Sequence, residues 1–213
     1  SMQNSSSATL APRRRPSQNR SVVTVDAIFE ASIQVLLTDG MHRLTTTRVA
    51  ERAGVSAGTL YQYFPNKHAL LYAVLARHLD GIASAVEVAA QGAHNAALKE
   101  MVRVVVAAFV RAKVARVDEA RALYAVSSEL ACADLAKAAG ERGCAALAAM
   151  LATAPDARFD DLTLTAYMFA TAMIGPTRGM VEGQAPARLT RVLRAQLNSL
   201  CLGYLERESI SRK

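Results

Sequence analysis

The side chains best placed to do chemistry are gathered in one short run. Between residues 45 and 67 stand Thr45, Thr46, Thr47, Arg48, Ser56, Thr59, Tyr61, Gln62, Tyr63 and Lys67, interleaved with the small residues Ala57 and Gly58. Hydroxyls, an amide and two cations, with no nucleophile beside a general base, make a set suited to holding a polyanion. Arg and Lys neutralise phosphate, hydroxyls donate to its oxygens, and a glutamine can pair with the edge of adenine. The methyl of Thr59 can pack on a thymine methyl, and Arg48 can reach a guanine or a phosphate. Ala57, Gly58 and Thr59 together form a small-residue surface that would let a helix sink into a major groove about 12 Å wide.

The rest of the chain lacks the groupings that catalysis needs. His42, His68, His78 and His94 include no pair spaced i,i+4, and there is no glycine-rich phosphate loop. Cys132, Cys144 and Cys201 have no metal-site spacing, and an odd count argues against a disulfide framework. They read as buried thiols of a reducing cytosol. Asp160 and Asp161 are more simply an acidic helix start. No enzyme, metal or cofactor is expected.

The elements that must position the run are helices. Val25, Ile28, Phe29, Ile33, Leu36 and Leu37 recur at helical spacing, which predicts a helix beginning near Thr24 and stopped at Asp39-Gly40. A short helix over 48–53, capped by Thr45 or Thr46, breaks at Gly54. A third over 56–64 is capped by Ser56, turns Leu60 and Phe64 inward, and leaves Tyr61, Gln62 and Tyr63 outward. Pro65-Asn66 ends it. Asn66 caps a fourth helix at Lys67, where the lysine and the helix dipole could hold one phosphate together. Further helices are expected from about 95, over 119–131, 135–153, 162–181, with a kink at Pro176, and 189–205. The fold class is all-α.

Charge sharpens the polyanion reading. The formal net charge is +7, and the first 25 residues hold Arg13, Arg14, Arg15 and Arg20 with no acid. Ser-, Pro- and Arg-rich composition predicts disorder there, and a basic arm of this kind is a footprint for nucleic acid. No apolar stretch is expected to reach the roughly 18 residues that span a membrane, and the basic N-terminal stretch lacks the apolar run of a signal peptide. The expected location is the cytoplasm.

The run from Ala53 through Gly54, Val55, Ser56, Ala57, Gly58, Thr59, Leu60, Tyr61, Gln62, Tyr63, Phe64, Pro65, Asn66 to Lys67 resembles the signature of the TetR (tetracycline-repressor) family of bacterial regulators. The likeness extends back through residues 25–37 and forward to about Leu75, roughly the first third of the chain. It implies a disordered basic arm over residues 1–21, a three-helix helix-turn-helix DNA-binding domain over 22–66, and a linking helix into a larger helical domain over 67–213 for effector binding and dimerisation. By the same resemblance the DNA contacts are Thr46, Thr47, Arg48, Ser56, Ala57, Gly58, Thr59, Tyr61, Gln62, Tyr63 and Lys67. Arg14 and Arg15 of the arm would enter the minor groove beside the site. His68 departs from the family pattern, in which an acid commonly follows this lysine.

The resemblance also implies a small effector that alters DNA affinity, a homodimer on a palindromic operator, and repression as the common mode. Methionines and aromatics beyond residue 100 are the candidate ligand contacts: Met101, Phe109, Tyr124, Met150, Tyr167 and Met168, with Thr171. They point to a lipophilic or aromatic effector. Arg103, Glu129 and His94 could orient a polar group. Leu189, Val192, Leu193, Gln196, Leu197, Leu200 and Tyr204 cover more of the last helix than one core contact needs, and the last two helices are the expected dimer interface. Two rivals remain: an enzyme, and a helical ligand sensor that never touches DNA.

Overall fold

The computed structural model describes residues 16–210, with side chains from residue 18. Among these residues all regular structure is helical: α1 (Pro16–Asp39), α2 (Thr46–Ala53), α3 (Ala57–Tyr63), α4 (Lys67–Gly92), α5 (Leu98–Val114), α6 (Val117–Glu129), α7 (Ala133–Leu151), α8 (Leu162–Val181) and α9 (Leu189–Glu208). The chain divides into two compact units between Lys67 and His68.

In the first unit α1 packs on α2 and α2 on α3. The core is built from Ile28, Phe29, Ile33 and Leu36 of α1, Leu44 of the connecting turn, Val49 and Ala50 of α2, and Leu60 of α3. Phe64 stacks on Phe29, ring centroids 5.6 Å apart, which fixes the end of α3 on α1. Two expectations for α1 need correcting. It begins at Pro16, not near Thr24, so residues 16–21 are helix and not arm. Proline suits a first helical position, and once a helix is nucleated each further polar residue adds to it at little cost. Leu37 is 45% exposed and lies off the buried stripe. Arg13, Arg14 and Arg15 lie outside the described residues.

In the second unit α5, α7, α8 and α9 enclose one core. Its largest members include Met101, Leu147, Met150, Phe169 and Met173, with Leu197, Cys201 and Leu205 from α9. α8 runs through Pro176 to Val181, and Thr177 Oγ1 donates to the Met173 carbonyl at 2.8 Å beside the proline. Cys132 and Cys201 are buried as expected, while Cys144 is half-buried. Burial pushes the Cys201 thiol up to about 12, far from any role as a nucleophile.

The membrane expectation is also corrected on one point. Gln18–Asp39 and Lys67–Gly92 are each long and apolar enough, by length and composition, to cross a membrane. Neither is a charge-free run: Asp26 and Glu30 interrupt the first, Arg77, Asp80 and Glu87 the second. Each buries an apolar stripe within the fold, which is how a core helix satisfies the same measure.

Candidate functional site

The geometry of α3 follows from its two ends. At the start of α2, Thr45 Oγ1 accepts from the Arg48 N–H at 3.1 Å, so Thr45, not Thr46, is the cap. Gly54 ends that helix at φ 72°, its N–H reaching the carbonyls of Ala50 and Glu51. A side chain would be strained in that left-handed conformation, and the sharp reversal sets the angle at which α3 departs. Ser56 Oγ then accepts from the Thr59 N–H at 3.0 Å and shares a 2.8 Å hydrogen bond with Thr59 Oγ1. Leu60 is buried, so the opposite face of α3 is turned out.

That outward face carries Ala57, Gly58, Tyr61, Gln62 and Tyr63, all exposed, with Ser56 at its edge. Tyr61 is the most open of the two tyrosines at 59%. A Cβ added at Gly58 would meet only Ser56 Oγ, at 3.9 Å, so nothing inside the unit requires glycine there. Thr47 is exposed and Thr46 half-buried. All three cations of the run are already engaged, Arg52 by donating from Nε to Gln34 Oε1 at 2.9 Å. Arg48 Nη1 pairs with Asp39 Oδ2 at 3.0 Å, and Lys67 Nζ donates to the Met41 carbonyl. Neither partner was visible in the run itself, because both lie upstream, at or just beyond the end of α1.

The second unit contains two adjoining cavities, of about 330 Å³ and about 200 Å³. Leu79, Lys113, Tyr124, Ala136 and Arg178 line both. The larger also meets His78, Ser127 and Ser128, and the smaller is walled by Ile82, Val86, Phe109, Leu147, Met173 and Ile174. Lys113 is 6% exposed, and its Nζ donates to Tyr124 Oη at 2.8 Å. Arg178 lies over the same ring, 5.0 Å from its centroid, and its Nε donates to Glu182 at 3.2 Å. Burial and, secondarily, the Lys113 ammonium push His78 down from 6.5 to about 4, so it is neutral at ordinary pH. Its Nδ1 is 3.9 Å from the Glu119 carboxylate, which itself pairs with Arg116 at 2.9 Å.

Of the expected ligand contacts, Phe109 and Tyr124 line this space. Met101 and Met150 are fully buried in the core and do not. Tyr167 and Met168 face solvent, and the Thr171 hydroxyl is spent on the carbonyls of Tyr167 and Met168. Arg103 pairs with Glu100, and neither Glu129 nor His94 reaches the cavities. The residues missed are His78, Lys113 and Arg178. Lys113 carried a signal, since it sits four residues beyond Phe109 on the buried stripe of α5, where an apolar residue is due.

The expected dimer residues divide by face. Leu193 and Leu197 belong to the unit's own core, and Leu189 and Tyr204 pack against it. Val192, Gln196 and Leu200 are exposed, and neighbouring α8 exposes Leu164, Tyr167, Met168 and Ile174.

Comparison with known proteins gives matches over both units. Residues 28–74 match the model of bacterial regulatory proteins of the tetR family, and residues 97–205 match the tetracyclin repressor-like C-terminal domain. The HTH-type transcriptional activator FasR of Mycolicibacterium smegmatis is 43% identical over 56 residues, which is 26% of this chain and 26% of FasR. The HTH-type transcriptional repressor KstR of Rhodococcus jostii is 42% identical over 57 residues, 27% of each chain. The alignments thus span about a quarter of these curated relatives. A crystal structure of a TetR-family transcriptional regulator from Mesorhizobium loti superposes with a TM-score of 0.72 at 16% identity, covering 90% of this chain and 99% of that one.

Proposed function

Because the chain belongs to the tetR family and is a transcriptional regulator with a helix-turn-helix, not an enzyme, we propose that it is a ligand-responsive repressor. In this reading a homodimer binds a palindromic operator in the cytoplasm and leaves it when a small, lipophilic or aromatic effector enters the second unit. The observation that carries the reading is the outward face of α3. It presents two exposed tyrosines, an exposed glutamine and a glycine that the unit's own packing does not require. Exposed aromatics beside small residues suit a surface that contacts base edges and phosphates.

The proposed contacts are Thr46, Thr47, Ser56, Ala57, Gly58, Thr59, Tyr61, Gln62 and Tyr63, with Arg14 and Arg15 from the arm. Arg48 and Lys67 join them by exchanging Asp39 and the Met41 carbonyl for phosphate, a trade that polyanion binding favours through counterion release. One α3 reads too few bases for useful specificity, and a two-fold pair doubles the site. Support for the dimer is the apolar surface of Val192 and Leu200 on α9 and of Leu164, Tyr167 and Met168 on α8, exposed in a single chain. Relatives over the DNA-binding segment include both an activator and a repressor. Repression is preferred because occupying a promoter requires no further contact. Release would act through α4, which lines both cavities and begins at Lys67, directly after the helix-turn-helix. An effector must bind the two states unequally to shift it.

The test is fluorescence anisotropy against labelled duplex from upstream of the protein's own gene, over a salt series, with a scrambled duplex as control. We expect about a thousandfold discrimination and a log-affinity slope steeper than about −5. Weak, equal binding to both duplexes, for that and any other upstream segment, would leave the second unit as a ligand sensor without an operator.

A further inference from the structure

The cavities of the second unit hold a positive charge that their own side chains do not neutralise. Lys113 is almost wholly buried, and its contacts are the hydroxyl of Tyr124, at 2.8 Å, and the ring of the same residue. Among the described residues no ion pair joins it to a carboxylate. Arg178, 5.0 Å from the centroid of the same ring, is paired with Glu182 and half-exposed. Glu119 is turned to Arg116, and His78 is neutral because burial and Lys113 disfavour its charged form. The balance around Tyr124 is therefore one uncompensated cation. Burying an ammonium without a counter-charge is costly, and filling the space with an anion removes that cost.

The donors also converge. Tyr124 Oη accepts from Lys113, which leaves its own proton free to be donated and polarises that O–H. Beyond this polar end lies the smaller chamber, walled by Ile82, Val86, Phe109, Leu147, Met173 and Ile174, with nothing polar opposite the Lys113 side. Together the two spaces fall in the size class of ordinary small-molecule sites, about 300–1,000 Å³.

We propose that the effector is a hydrophobic monocarboxylic acid, its carboxylate held by Lys113, Tyr124 and Arg178 and its apolar body lying against Phe109 and Met173. This rests on the reading of the second unit as the effector domain and narrows the effector to one charge class. A monoanion matches the single uncompensated charge, whereas a phosphate dianion would leave one of its own charges buried. Arg178 can turn from Glu182 to meet the carboxylate, since its side chain is half-exposed.

The experiment is calorimetric titration of the full chain with octanoate, dodecanoate and naphthoate, each against its methyl ester and its primary alcohol. We expect at least one acid to bind, and to bind about tenfold or more tighter than its neutral partners, the scale of one charge-assisted hydrogen bond. Lys113→Met should erase or reverse that preference while its Tm holds or rises, because an uncompensated cation has been replaced by a side chain of similar length. Arg178→Gln, on an exposed side chain, should lower acid affinity and leave ester affinity unchanged, and it tests the site even if Lys113→Met fails to fold. Binding by no acid, equal binding of acids and esters, or a preference that survives both substitutions overturns the proposal. Repeating the titration on the protein–operator complex separates the two readings. An acid that binds through Lys113 yet leaves operator affinity unchanged upholds this site and removes its effector role. Release by the neutral compounds alone upholds an effector role and overturns the acid.

Discussion

The outward face of α3 and the cavity around Tyr124 are built on opposite plans. The face is made by neighbours in sequence: Ser56 caps Thr59, Gly54 turns the chain, and the side chains that matter stand in solvent. The cavity is made by residues far apart: His78 of α4, Lys113 of α5, Tyr124 of α6 and Arg178 of α8, two of them polar groups held away from water. An exposed group contributes to binding without contributing much to stability. A buried polar group does both, because its protonation and its partners are part of the folded state. Substitutions of the exposed side chains on the face should therefore change affinity alone, and substitutions in the cavity should change stability and its pH dependence.

The largest expected effect is at His78. Its pKa falls from 6.5 to about 4 on folding, first through burial and then through Lys113 on α5. Between those values the unfolded chain binds a proton that the folded chain refuses, so stability rises with pH across the window. It is fully present above 6.5 and lost as pH falls toward 4. At most this amounts to about 3 kcal/mol from one group. Glu119 on α6, 3.9 Å away, pulls the other way, but its charge is shared with Arg116. Urea unfolding across this window should show the loss in the parent chain and a flatter profile in His78→Gln. An unchanged slope in the variant would mean that the cavity carries no such coupling, and the contrast with α3 would fail at that end.

The same contrast explains what could be read from the sequence. The ends of α2 and α3 were legible because Thr45, Gly54 and Ser56 act on residues three or four away, inside any local window. The start of α1 was not, because Pro16 and the polar residues after it look the same in a loop or in a solvated first turn. Lys113 stands on the apolar stripe of α5, yet a lysine in the last turn of a helix also complements the helix dipole, and only Tyr124, across on α6, gives it its place. On α8 residue type was uninformative. Its apolar residues run all round, so Tyr167 and Met168 look no different from Phe169 and Met173, though the first pair is exposed and the second buried. The engaged state of Arg48 and Lys67 was hidden for a similar reason, since Asp39 and Met41 lie outside the motif.

On the other side of the contrast stands Tyr61, 59% exposed and packed on little. Tyr61→Ala should leave unfolding free energy within about 0.5 kcal/mol of the parent. If Tyr61 meets DNA, the same change should weaken operator binding by about 1–3 kcal/mol, roughly tenfold to hundredfold, the range of one good specific contact. Anisotropy and a urea melt on the same preparation decide it. A loss of stability as large as the loss of affinity would make Tyr61 a structural residue and put the recognition surface elsewhere.

The smallest effect is the most discriminating, because its two halves have opposite signs. Gly58 is the second residue of α3, with a φ that any residue could adopt, and a Cβ there would find open space apart from Ser56 Oγ at 3.9 Å. Glycine in a helix interior costs about 0.5–1 kcal/mol relative to alanine, and less in the first turn, where Gly58 stands. Within the unit there is thus a stability penalty and no packing reason for it. Close approach of the α3 backbone to another molecule would supply the reason. Gly58→Ala should raise stability by at most that amount and lower operator affinity, by less than Tyr61→Ala does, since one methyl displaces the helix only slightly from the groove. A gain in stability with affinity unchanged would mean that the backbone at Gly58 never comes close to DNA, and that the tyrosines reach it from a greater distance.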